Sequence, residues 1–164
     1  MKIKSHWVLL IVTTLLLIGC EKQNNVVFDE YSETKGAWDK KDLKTFVVET
    51  NDTITKHNLY MNLRVNKEYE YSNMFVILKI FQPNETTVID TLEYQIAKAD
   101  GTLIGQGFSD VKENKLWMKE GYKFPVKGSY KFTLEQAVRK LGTINADNSL
   151  GGVLEVGLRV EKSE

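Results

Sequence analysis

Leu59-Tyr60-Met61-Asn62-Leu63-Arg64-Val65 puts an aliphatic side chain at every second position and a polar or aromatic one between. A period of two is what a β-strand needs to bury one face and wet the other; a helix would space its apolar residues by three and four. The pattern recurs outward from this stretch. Leu92, Tyr94 and Ile96 alternate with Glu93 and Gln95, and Tyr130, Phe132 and Leu134 with Lys131 and Thr133. Leu154, Val156, Leu158 and Val160 alternate with Glu155, Gly157 and Arg159. Met74 to Phe81 is almost continuously apolar, which predicts a central strand covered on both sides. Further strands are expected near 44–50, 102–108, 115–118 and 122–126.

Turn-forming residues separate these runs: Pro83-Asn84, Ala99-Asp100-Gly101, Glu120-Gly121 and Lys127-Gly128. Asp100-Gly101 between two apolar stretches is a hairpin signal. Only Glu135-Gln136-Ala137-Val138-Arg139 offers a short helical turn. Many short strands with frequent turns predict a mostly-β fold, an antiparallel β-sandwich with jelly-roll order as one candidate connectivity and at most one short helix.

The first twenty residues follow other rules. Met1-Lys2-Ile3-Lys4 is a basic head, and Trp7 to Ile18 is an apolar run broken only by Thr13 and Thr14. This is the layout of an export signal, and it is well short of the roughly twenty residues of a membrane-spanning helix. Leu17-Ile18-Gly19-Cys20 resembles the bacterial lipobox, which implies diacylglycerol on the Cys20 sulfur, cleavage after Gly19 and acylation of the new amine. The expected organisation is a signal peptide at 1–19, a lipidated cysteine and polar spacer at 20–25, and one β-sandwich domain at 26–164. Two or more acyl chains hold a protein on a bilayer where one does not. The expected location is the cell envelope, anchored to a membrane through Cys20. The spacer Glu21-Lys22-Gln23-Asn24-Asn25 has no acidic run of the kind found on surface-exposed lipoproteins of one bacterial group, and so points toward the periplasm.

Composition narrows the chemistry. Loss of Lys2 and Lys4 with the signal leaves 20 basic against 22 acidic side chains, a net of −2. That balance lacks the basic footprint of a nucleic-acid partner. The one cysteine is taken by lipid, so neither disulfide nor thiol redox chemistry is expected. The mature chain has one histidine, His57, beside Lys56 and Asn58, which reads as a solvated loop residue. No G-x-S-x-G, Walker loop or H-E-x-x-H occurs, and no cofactor motif or metal-ligand spacing is present. A glycosidase acid pair could be sought in Asp110 with Glu113 or Asp90 with Glu93, and a calcium site in Asp100 with Asp110; charged loops explain these acids better. Trp38 and Trp117 are candidate partner contacts. Trp38 follows Gly36-Ala37 in a polar stretch, whereas Trp117 lies between Leu116 and Met118, a setting typical of core or interface. Either ring could also form a sugar platform.

Together these segments resemble the gliding-motility lipoprotein H family of the Bacteroidetes. The resemblance is carried by Phe28-Asp29-Glu30-Tyr31, Gly36-Ala37-Trp38, Asn62-Leu63-Arg64, Asp90-Thr91-Leu92-Glu93-Tyr94 and Asp100-Gly101-Thr102-Leu103. It continues in Gly107-Phe108-Ser109-Asp110-Val111-Lys112-Glu113, Lys115-Leu116-Trp117, Phe124-Pro125 and Glu135-Gln136-Ala137-Val138-Arg139. It implies a non-enzymatic accessory lipoprotein or scaffold of the gliding machinery and its coupled type IX secretion, whose partners are other envelope proteins. A lipid-tethered glycan-binding module is the alternative, and an envelope polysaccharide hydrolase ranks third. Asp52-Thr53-Ile54 and Asp90-Thr91-Leu92 also resemble acceptors of Bacteroidetes periplasmic O-glycosylation, at Thr53 and Thr91.

Overall fold

The computed structural model describes residues 25–107, 109–139 and 147–163. The expected signal peptide at 1–19 and the expected lipid site Cys20 lie outside the described residues. Ten strands are formed: β1 (Val26–Glu33), β2 (Ala37–Asp39), β3 (Lys44–Thr50), β4 (His57–Val65), β5 (Asn73–Phe81), β6 (Thr87–Gln95), β7 (Lys112–Tyr122), β8 (Gly128–Gln136), β9 (Ser149–Gly151) and β10 (Val153–Lys162). Two four-stranded antiparallel sheets, ordered β1-β10-β4-β7 and β3-β8-β5-β6, form the sandwich, and a two-stranded ribbon, β2-β9, joins them. Among the eight long strands this order is first-eighth-third-sixth over second-seventh-fourth-fifth. That is the jelly-roll arrangement.

The alternating residues meet between the sheets. Leu59, Met61, Leu63 and Val65 of β4 and Val156, Leu158 and Val160 of β10 face Met74, Val76, Leu78 and Ile80 of β5 and Tyr130, Phe132 and Leu134 of β8, all buried. Each such side chain contributes about 1.5–3 kcal/mol on leaving water.

Several expectations need correction. The continuous apolar run of β5 is covered on one face only: Met74, Val76, Leu78 and Ile80 are buried, while Phe75, Ile77 and Phe81 are partly exposed. β5 is internal in its sheet, but among the described residues no third layer lies over it. Of the strand expected at 102–108, the described residues 102–107 form none; Leu103 and Gln106 make isolated bridges to Ala97 and Glu113. The expected strand at 115–118 lies inside a longer one, β7, which ends at Tyr122, and residues 123–126 form no strand. No helix forms among the described residues. Glu135 and Gln136 continue β8 by pairing with Ile77 and Val76, and Ala137 N–H donates to Phe75 C=O. A bulge between Val153 and Glu155 puts Val153 in the core and leaves Leu154 partly exposed. His57 is not a solvated loop residue. It opens β4, is buried, and packs edge-on against Phe124 at 5.1 Å. Asp100-Gly101 turns as expected, with Gly101 N–H on Lys98 C=O and Lys98 N–H on Thr102 C=O.

Trp38 is the largest correction. It is 0% exposed, its ring lies in the core, and its Nε1–H donates to Asp42 C=O at 2.9 Å. The polar neighbourhood in sequence belongs to the exposed side of a three-residue strand. A side chain without exposed surface cannot meet a partner of the folded domain.

Candidate functional site

Pairing within the β1-β10-β4-β7 sheet sets its outward side chains in rows. Asp29, Arg159, Tyr60 and Trp117 are aligned across the four strands, as are Tyr31, Gly157, Asn62 and Lys115. A third row holds Glu33, Glu155, Arg64 and Glu113. Strand alternation had assigned the positions between Leu59, Met61 and Leu63 to solvent, yet Tyr60 and Asn62 are buried, covered by these neighbours.

Two connected networks cover this face. In one, Tyr31 Oη–H donates to Glu113 Oε1 at 2.7 Å, Arg64 Nε donates to Glu113 Oε2 at 3.1 Å, and Arg64 reaches Glu155 on its other side. The Arg64 guanidinium also sits 4.8 Å from the Tyr31 ring centroid. In the other, Arg159 bridges Asp29 and Glu161, Asn62 Nδ2 donates to Asp29, and Lys115 Nζ donates to both Glu161 oxygens at 2.8 Å. Lys115 further lies 4.1 Å above the Tyr60 ring. Trp117 leans on that ring at a centroid distance of 4.4 Å and keeps 51% of its surface exposed.

Electrostatics follow the contacts. The hydrogen bond from Tyr31 holds the Glu113 carboxyl below its usual range, and Arg64 adds to this against the opposing effect of burial. Burial and the Glu113 contact push the Tyr31 phenol well up. For Glu161 burial acts upward, but hydrogen bonds from Lys115 and Arg159 outweigh it and the net shift is down. Both carboxylates are thus fixed as anions and make poor proton donors.

Above the sheet the segment 104–107 runs beside β7, with Gln106 and Glu113 exchanging both backbone hydrogen bonds at 2.8 and 2.9 Å. Gly105 and Gly107, at φ 125° and 135°, permit this approach: a Cβ on either would stand 2.6 Å from the carbonyl oxygen of Glu113 or Val111. The segment and the sheet enclose a cleft of about 730 Å³, lined by Tyr31, Asn62, Glu113, Lys115 and Arg159 below and by Gln95, Ile104 and Gln106 at its rim. Asn114, buried at its edge, has an Nδ2 without a partner among the described residues.

A family model described as GldH lipoprotein matches residues 26–160. The chain belongs to the GldH lipoprotein family. It is 44% identical over 164 residues to the gliding motility lipoprotein GldH of Flavobacterium johnsoniae, with all of both chains covered. It is 42% identical to a GldH homolog of Christiangramia forsetii, covering 94% of this chain and 93% of that one. Among solved structures, the VP2 protein of infectious bursal disease virus aligns at a TM-score of 0.35 and 14% identity, covering 86% of this chain and 32% of that one. Such a score carries no argument. The GldH lipoprotein family is named for gliding motility and not for a catalytic activity.

Within this chain the acids sought as pairs are kept apart. Asp90 and Glu93 fall on opposite faces of β6; Asp90 pairs with Lys119 at 3.0 Å and Glu93 accepts from Asn73. Asp110 pairs with Lys67 at 3.2 Å, outside the Tyr31–Glu113–Arg64 network. Asp100 accepts the Thr102 N–H in its own turn. No group of three His, Cys, Asp or Glu among the described residues stands close enough to hold a metal. Thr91 is exposed on β6, and Thr53 is half-buried between β3 and β4. The outward network was missed in sequence because its bonded partners lie up to 130 residues apart. The visible signal was Asn62 and Arg64 inside a strand.

Proposed function

We propose that this GldH chain is a non-catalytic, lipid-anchored accessory protein of the gliding machinery and its coupled type IX secretion, working as a scaffold that holds other envelope proteins. The observation that carries this reading is the outward face of the β1-β10-β4-β7 sheet. Asp29, Arg64, Glu113, Lys115, Glu155, Arg159 and Glu161 are each paired with an opposite charge there, and beside them Trp117 presents a half-exposed ring backed by Tyr60. A preformed polar field around one rigid aromatic is the composition of an interface hot spot. The same pairing removes the free acid and base that hydrolysis needs. The anchor is lipid on Cys20 after cleavage behind Gly19, and the short spacer without an acidic run favours a periplasmic side. Chemical crosslinking in native envelopes followed by capture of the chain tests this: wild-type protein should retain a defined set of envelope proteins that Trp117→Ala loses.

A second reading, a lipid-tethered glycan-binding module, is favoured by the exposed Trp117 ring and the amide-rich cleft with Asn62, Gln95 and Gln106. A glycan array separates the two. Saturable binding that Trp117→Ala abolishes supports the second.

A further inference from the structure

At one end of the sandwich the chain enters β1, and there Asn25 C=O accepts Lys162 N–H while Ser163 N–H donates to Lys56 C=O. The loop between β3 and β4 projects from the same end. Its residue Ile54 is 82% exposed, more than any other large apolar side chain among the described residues. The turn beneath it is fixed: Asp52 Oδ1 accepts the N–H groups of both Ile54 and Thr55 at 2.9 Å, and Thr50 Oγ1 accepts that of Asp52. Val27 of β1, itself exposed, lines a groove with Glu49–Ile54 and Lys127. Exposed Lys56, Lys123, Lys127 and Lys162 surround the tip, and none makes an ion pair among the described residues. Among the described residues Glu49, Asp52, Glu85 and Glu120 lie at the same end and balance these four lysines.

We infer that this tip, led by Ile54 with Val27 behind it, rests in the headgroup region of the membrane that holds the lipid on Cys20. The inference rests on the proposed lipidation of Cys20. Asn25 stands five chain steps beyond Cys20, a span of at most about 18 Å, so a lipid anchor keeps this end and no other against the bilayer. One isoleucine is too little for a free protein to bind a membrane. A tether turns the contact into an intramolecular one and makes a weak contact sufficient. The lysine stems can lie along the interface with their ammonium groups in water. Balanced charge makes the docking apolar in origin and little affected by salt. Docking fixes the long strands upright on the membrane, so that Trp117 faces sideways toward neighbouring proteins.

The test uses the full lipidated chain in vesicles of about four parts phosphatidylcholine to one of phosphatidylglycerol. Ile54→Cys and, at the opposite end, Glu70→Cys are labelled with an environment-sensitive NBD dye, Cys20 being blocked by its lipid. The label at 54 should shift to the blue and brighten severalfold, in low and high salt alike, while the label at 70 stays in water. A dye on Lys127→Cys should report the same shift with Ile54 present and lose it in Ile54→Ser. Vesicles that carry the protein while every label stays in water overturn the docking alone. Protein that fails to float with vesicles and labels at Cys20 overturns the lipid anchor and the docking with it. A glycan on Thr53 in the intact mass of the native protein also overturns the docking, since a bulky polar group on this turn would hold the tip off the bilayer.

Discussion

Tyr31 on β1 lies across Gly157 on β10 and donates its hydroxyl to Glu113 on β7, two strands further on, at 2.7 Å. Gly157 makes the crossing feasible: a Cβ there would stand 3.1 Å from the Tyr31 ring and 2.8 Å from Glu30 C=O. The outward network is thereby closed over three strand intervals, with Gly157 adding no Cβ beneath the ring.

Two variants probe that crossing. Gly157→Ala should destabilise the domain by about 1–3 kcal/mol through overpacking, read as a shift in urea midpoint. Tyr31→Phe should lose about 1 kcal/mol as a missing hydrogen bond, and a double-mutant cycle with Glu113→Gln should show coupling between the two. Additive losses would break the link.

The pH dependence of stability has two steps of the same sign. Burial lowers the His57 pKa, against the smaller opposing effect of Asp52. The unfolded chain then takes up a proton first, and stability present above about pH 6.5 falls as pH drops through the folded value. Glu161 and Glu113 are also depressed in the folded state. Their contribution is full above about pH 4.3 and is lost as pH falls further. Denaturant midpoints measured from pH 8 to pH 3 should decline in that order. His57→Phe should remove the earlier step and leave the later one.

Core substitutions separate Trp38 from Trp117. Trp38→Ala should cost about 3–5 kcal/mol, and Leu158→Asp, which buries an unpaired charge, should unfold the domain. Trp117→Ala on the half-exposed ring should leave the thermal midpoint nearly unchanged. Equal losses at both tryptophans would remove Trp117 as a surface anchor.

Why the two tryptophans were not told apart in sequence is a matter of context. Alternation made β4, β6, β8 and β10 legible, because a one-residue slip would turn every apolar side chain to solvent. It gives nothing for Trp38, whose strand has three residues and whose burial depends on pairing with Leu150, 112 positions away in the chain. His57 likewise looked like a loop residue beside Lys56 and Asn58, and only packing against Phe124 explains its burial. The outward network was legible only as single polar letters in strands; its meaning lies in cross-strand register. The suggested helix at 135–139 failed because the Gln136 side chain is enclosed, donating to Asp147 C=O and accepting from Val138 N–H.

The anchor has its own test. Cys20→Ser should prevent lipidation, leave the signal uncleaved and move the protein out of the detergent phase of a Triton X-114 split. A wild-type protein that stays in the aqueous phase would remove the anchor.

In the proposed reading this chain works by holding partners and not by turning over a substrate. Crosslinked capture from envelopes, scored beside secretion and gliding in the same cells, tests it with two folded, lipidated variants. Trp117→Ala should lose both the captured proteins and the activity, because interface energy concentrates in aromatic anchors at about 2 kcal/mol or more each, while Asp110→Asn should keep both. Asp110→Asn that captures its partners fully yet has no activity, with Trp117→Ala unimpaired, would contradict the claim.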